Sequence, residues 1–195
     1  MGNIHNIDLQ QIFDRTTISN FIETGTCEGG GVAYALTLPI DNIYSIEIEP
    51  SLYKKCQERF KDDKNVKLFC GHSPPVLTDL LPLKGTTLYW LDAHFPGVDT
   101  DFLNKTISST IDDDERCPLE KELVAIHEAG SFENDYFIID DLRVYEDGPF
   151  DSGNWDERGL YGKDGIDFIY ELFDPTHNIK KSYADNGYIF LLPKS

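Results

Sequence analysis

Hydrophobic positions in this chain fall into short runs separated by polar, glycine-rich breaks. The first run, Ile18, Phe21 and Ile22, ends at Glu23 and breaks into Gly25, Gly29, Gly30 and Gly31. It resumes as a small-residue helix over 32–36, so the pattern is strand, tight turn, helix. Further apolar strands are predicted at 42–49, 65–70, 86–92 and 136–141. Between them the spacing predicts helices over 50–60, 75–81, 117–129 and 165–173. In the first of these Leu52, Cys56 and Phe60 recur at helical intervals behind Pro50; in the third Leu119, Leu123 and Ile126 share a face. A helix over 7–13 is predicted ahead of them all. Two closing strands, 179–183 and 187–192, flank Ala184-Asp185-Asn186-Gly187, whose Asn-Gly pair is a hairpin signal. Strand–helix alternation ending in a hairpin predicts an α/β domain with a mostly parallel sheet and one antiparallel strand.

Composition narrows the class. With 195 residues, 40% hydrophobic and 27% charged, the chain can build one full core but not two comfortable ones. No apolar run reaches 18 residues, so a membrane partner is not expected, and Met1-Gly2-Asn3-Ile4-His5 is no signal peptide. Asn6 stands where a myristoylation signal would need Ser or Thr. Cysteines 27, 56, 70 and 117 form no Cys-x-x-Cys pair, which suits reduced thiols in a cytoplasmic protein rather than disulfides or zinc. The net charge of −18, with no basic patch, argues against a nucleic-acid partner.

Chemistry is expected at the carboxyl ends of the strands, where open α/β sheets bind ligands. A dinucleotide fingerprint would need a second glycine where Cys27 stands, and no P-loop lysine follows. The pattern acidic-x-Gly-x-x-x-Gly is met by Glu23, Gly25 and Gly29, and it resembles motif I of the class I S-adenosylmethionine-dependent methyltransferases. The ligand of those enzymes carries an ammonium and a sulfonium, which an acid such as Glu23 can complement. Glu47 ends the second strand about 20 residues after the turn, placed to accept both ribose hydroxyls of an adenosine. That placement suits nicotinamide cofactors equally, and Glu49 competes for the role. The resemblance favours Glu47. It further implies a sheet ordered 3-2-1-4-5-7-6, cofactor contacts from Thr26, Gly30 and Asp92, and adenine contacts from His72 and Ser73. The alternative for Ser73 is a helix cap.

Two strand ends, Leu91-Asp92-Ala93-His94 and Ile139-Asp140-Asp141, bring three carboxylates toward one crevice. Such a set repels itself unless protonated or joined by a cation, and hard oxygen ligands suit Mg²⁺ or Mn²⁺. The arrangement resembles the metal-dependent O-methyltransferases of the catechol type and the macrolide and aminocoumarin sugar type, which implies Asp92, Asp140 and Asp141 as ligands. The alternative is that Asp140 or Asp141 caps a turn while Asp92 orients substrate. His94 is the first candidate for the base and Asp92 the second. Phe95-Pro96-Gly97 follow where the catechol enzymes have a lysine, which turns the expectation from a catechol toward a sugar, a glycan residue or another small hydroxylated acceptor. Stretches 93–116 and 142–163 read as loops without regular structure on the substrate side, and Tyr145, Phe150, Trp155 and Tyr161 suit sugar stacking or simple loop packing. A nicotinamide-dependent oxidoreductase and a non-catalytic binding protein are the competing readings. A homo-oligomer is left open.

Overall fold

The computed structural model describes residues 4–94, 117–155 and 165–194. Seven strands form one sheet in the order β3-β2-β1-β4-β5-β7-β6. They are β1 (Asn20–Thr24), β2 (Asn42–Glu47), β3 (Val66–Cys70), β4 (Thr87–Leu91), β5 (Tyr136–Ile139), β6 (His177–Ser182) and β7 (Tyr188–Pro193). The first five are mutually parallel; β7 runs antiparallel to both β5 and β6. The central strands β1, β4 and β5 are buried at every position because both faces of the sheet are covered there, whereas the edge strands β3 and β6 are partly exposed.

In β4, Tyr89 and Leu91 enter one core with Leu77, Leu123, Ile126 and Phe173, contributed by α4 (Ser73–Leu80), α5 (Leu119–Ala129) and α6 (Asp167–Phe173). Leu88 and Trp90 enter the opposite core with Ile12, Val32, Ala35, Cys56 and Phe60. That layer rests on α1 (Gln10–Phe13), α2 (Gly30–Ala35) and α3 (Pro50–Arg59), with Phe60 immediately after α3. The result is a three-layer α/β sandwich. No described helix is long and apolar enough to cross a membrane.

Local chemistry moves several predicted boundaries. The helix expected over 7–13 begins only at Gln10, because the Asp8 carboxylate takes the Gln10 amide at 3.0 Å and starts the turn there. β2 stops at Glu47, since Glu49 leaves the strand to cap α3, accepting from the Ser51 amide at 2.9 Å. β5 stops at Ile139. Asp140 accepts from the Asp141 amide at 2.8 Å, and Asp141 turns into left-handed backbone at φ 54°.

The stretch 142–163 is not wholly irregular: Leu142–Val144 is a 3₁₀ turn. The rest of its described part is laced to the hairpin. Leu142 and Arg143 donate backbone bonds to Gly187 and Asn186, and Asp151 and Ser152 donate to Tyr183 and Asp185. Residues 95–116 of the other predicted loop lie outside the described residues.

Candidate functional site

The turn between β1 and α2 is held from three sides. Gly25 and Thr26 donate backbone bonds to the Ile46 carbonyl at 3.0 and 3.2 Å, which pins the turn to β2. Gly25 has φ +84°, and a Cβ there would lie 2.7 Å from the Asp92 carbonyl oxygen, so β4's exit presses directly on this backbone. Cys27 also adopts a left-handed conformation, at φ 50°, in the place where a glycine is usual. Gly29 packs against the Phe60 ring, whereas a Cβ on Gly30 would meet nothing within 4 Å.

Glu23 is 2% exposed and lies beneath the turn, with Oε1 against the Cβ position of Gly31. Thr26 Oγ1 and Ser45 Oγ are 2.6 Å apart, and Ser45 donates onward to Glu23 Oε2 at 2.5 Å. Burial, with Glu47's charge added and the Ser45 bond opposing, pushes its pKa up to about 8. The bond from Ser45 ties Glu23, and with it the turn, to β2.

Glu47 and Glu49 separate clearly. Glu47 is 4% exposed and accepts from the amides of Cys27 at 2.7 Å and Glu49 at 2.8 Å, which places it against the glycine turn while Glu49 serves α3. Burial raises the Glu47 carboxyl above the usual range, with the two amides opposing.

Beyond β3, His72 stands at the head of α4 with Nε2 buried and unpartnered. Ser73 is not a helix cap: its hydroxyl donates to Glu122 Oε1 across to α5. Glu122 is 1% exposed, and burial raises it to about 7 against the Ser73 and Thr24 hydroxyls.

Across the turn, the ends of β4 and β5 bring together Asp92, His94 and Asp141, whose ligand atoms all lie within 4.8 Å of one another. His94 Nε2 is 2.6 Å from Asp141 Oδ2, and Nδ1 is 3.6 Å from Asp92 Oδ1. Burial alone would lower the His94 pKa. The bond to Asp141 and the charges of Asp141, Asp92 and Asp140 win and push it up to about 9.

Burial and Asp140 hold Asp92 well above the usual carboxylate range. Asp141 stays below that range despite burial, because His94 and Arg143 stabilise its charge. Asp140 is not part of this trio. One oxygen takes the Asp141 amide, the other is buried without a partner, and burial raises it to about 7. Among the described residues the converging atoms are those of Asp92, His94 and Asp141, while Asp140, the third aspartate expected from sequence, lies beside them and raises the Asp92 pKa.

Beside Asp141 stands Arg143, which the sequence did not single out, and against it Trp155, read from sequence as a stacking or packing aromatic. Arg143 Nε is 3.4 Å from Asp141 Oδ1, and its guanidinium carbon sits 5.2 Å from the centre of the Trp155 ring. Of the loop aromatics, Phe150 belongs to the core and packs on Tyr183, Tyr145 is partly buried, and Tyr161 lies outside the described residues. Glu122 carried a readable signal. It occupies the apolar stripe of α5, three residues after Leu119 and four before Ile126, where a charged residue needs a reason.

No protein-family model and no curated protein matches the chain. Solved structures do. A candidate caffeoyl-CoA O-methyltransferase from Staphylococcus aureus superposes with a TM-score of 0.68 at 13% identity, covering 100% of this chain and 85% of that one. A candidate methyltransferase from Streptococcus mutans, solved in complex with SAH, gives 0.53 at 12% identity over 89% of each chain. Spermidine synthase from Thermotoga maritima gives 0.54 at 14% identity over 89% of this chain, but only 53% of that one. With the strand order and the antiparallel β7, these likenesses establish the architecture: the chain has the fold of the class I S-adenosylmethionine-dependent methyltransferases.

Proposed function

We propose that the protein transfers a methyl group from S-adenosylmethionine to a hydroxyl of a small polar acceptor, a sugar being the favoured class, with a divalent cation assisting. The observation that carries this reading is the meeting of two halves at adjacent strand ends. The glycine turn with Glu47 lies on one side, and the buried Asp92–His94–Asp141 group on the other, with Gly25 packed against Asp92. The turn and Glu47 would hold the adenosine and methionine portions of the cosubstrate, with His72 and Ser73 at the adenine end.

Asp92, Asp140 and Asp141 would hold a Mg²⁺ or Mn²⁺ ion, leaving His94 as the base: Asp92 and Asp141 converge, and Asp140 Oδ2 and Asp141 Oδ1 are buried acceptors without a hydrogen-bond partner. Bound there, the ion would polarise the acceptor hydroxyl and, through its charge, favour release of the proton that His94 carries. The chain's own residues do the rest. Asp141 holds the imidazole through Nε2 at 2.6 Å, and Nδ1, 3.6 Å from Asp92, is the nitrogen left to accept a proton. Once neutral, the ring can take the hydroxyl proton as oxygen bonds to the methyl carbon and sulfur departs with the electron pair. Positioning supplies much of the rate, since the displacement is in line.

The test is incubation with methyl-labelled S-adenosylmethionine and a panel of hydroxylated sugars, with Mg²⁺, with Mn²⁺ and with EDTA. Label should reach an acceptor hydroxyl, and Asp141→Asn should lower the rate at least tenfold. Transfer that is indifferent to EDTA and to Asp141→Asn would remove the cation from the account. No transfer to any hydroxyl, with the cosubstrate bound, would favour a binding protein.

A further inference from the structure

Among the described residues, polar atoms buried without hydrogen-bond partners near the end of β5 are the acceptors Asp140 Oδ2 and Asp141 Oδ1, and the donors Arg143 Nε, Trp155 Nε1 and Asn186 Nδ2. Burying such atoms unpaired is costly, and native structures pair nearly all of them. The acceptors suit an incoming hydroxyl or cation, as above. The donors call for an acceptor of their own. Asp141 pairs with Arg143 in charge at 3.4 Å but makes no hydrogen bond to it, so the Nε–H is left without an acceptor. The guanidinium carbon instead sits 5.2 Å over the centre of the Trp155 ring, a cation–π contact that does not use its N–H groups. Arg143 is itself held in place, because its backbone amide donates to the Asn186 carbonyl at the hairpin turn. A chain of net charge −18 repels anions in bulk, so an anionic ligand would need a local cation of this kind.

We propose that Arg143 and Trp155 form an oxyanion subsite, and that the acceptor is a hydroxy compound carrying a carboxylate or phosphate near the hydroxyl that is methylated. Arg143 presents a planar fork suited to two oxygens of such a group, and Trp155 Nε1 adds a third donor. This rests on the methyltransferase reading above and sharpens its acceptor class from neutral sugars to acidic ones. The alternative is that Arg143 serves only as a counter-charge to Asp141.

The experiment titrates protein saturated with S-adenosylhomocysteine with three probes: glucose, glucuronate and glucose 6-phosphate. Binding is followed by calorimetry and by the tryptophan emission. At least one oxyanion should bind tenfold or more tightly than glucose, and which one does so tells carboxylate from phosphate. Arg143→Gln should abolish that preference while leaving the S-adenosylhomocysteine affinity within twofold. Arg143→Lys should keep part of it, and Trp155→Phe, which retains the platform but loses the N–H, should weaken it several-fold. If neither oxyanion outbinds glucose in the loaded protein, or if Arg143→Gln leaves the preference intact, the subsite is refuted and the methyltransferase reading stands. If S-adenosylhomocysteine itself fails to bind, both fall.

Discussion

Replacing Gly31 with alanine would place a methyl group 1.9 Å from Glu23 Oε1, where real Cβ contacts stay beyond 3.0 Å. The carboxyl would have to withdraw by about 1 Å or more, yet Glu23 is 2% exposed and has no open side to retreat to. Overpacking of this kind costs about 1–3 kcal/mol. Breaking the 2.5 Å bond from Ser45 adds about 1 kcal/mol. Against this, alanine inside α2 gains about 1 kcal/mol over glycine.

The net expectation for Gly31→Ala is a loss of about 1–3 kcal/mol. In a Glu23→Ala background the obstacle is gone and only the helix gain remains, so the same change should become neutral or stabilising by up to about 1 kcal/mol. Urea unfolding of the four proteins measures this cycle, provided the m-values agree. A Gly31→Ala cost that is the same in both backgrounds, within about 0.5 kcal/mol, would refute the argument that Glu23 is a packing residue beneath the turn.

Gly30 should behave in the opposite way. With nothing within 4 Å of its Cβ position, Gly30→Ala should leave stability unchanged or raise it by up to about 1 kcal/mol. If the cosubstrate lies along this backbone, the same change should weaken S-adenosylhomocysteine binding at least tenfold by calorimetry. Asp135 supplies a pH prediction away from the site. Burial, against the bond from the Thr87 amide, raises its pKa to about 7. Because the folded value lies above the unfolded one near 4, its contribution is full below about pH 4 and is lost as pH rises toward 7. The slope is at most about 1.4 kcal/mol per pH unit. Asp135→Asn keeps an acceptor for Thr87, so its stability relative to wild type should improve from pH 5 to pH 7.5 in paired urea titrations. A constant difference across that range would contradict the shift.

The fold was legible because its signals are redundant. Apolar runs, the glycine break after Glu23 and the Asn186-Gly187 turn each mark an element that the sheet then uses. Boundaries were less so, since they depend on single side chains such as Asp8 and Glu49, each of which takes a backbone amide two residues on. In the site, sequence placed Asp92, His94 and Asp141 at neighbouring strand ends, and the structure gathers them. It could not tell Asp140 from its neighbour. Consecutive residues point in different directions, and the left-handed turn at Asp141 decides which one meets His94. The motif marks Glu23 but not its bond from Ser45 or its closeness to Gly31, residues that no linear pattern connects to it. Arg143 and Trp155 lie twelve residues apart on an irregular stretch, and only the folded backbone stacks them.

The central claim is that the crevice beside Gly25, Glu47 and Asp92 binds S-adenosylmethionine, and calorimetry addresses it most directly. The purified protein should be titrated with S-adenosylhomocysteine and, separately, with NAD. The account predicts micromolar binding of S-adenosylhomocysteine and none of NAD. Binding of NAD instead, or of neither compound, would contradict it and leave the glycine turn as a connection between a strand and a helix.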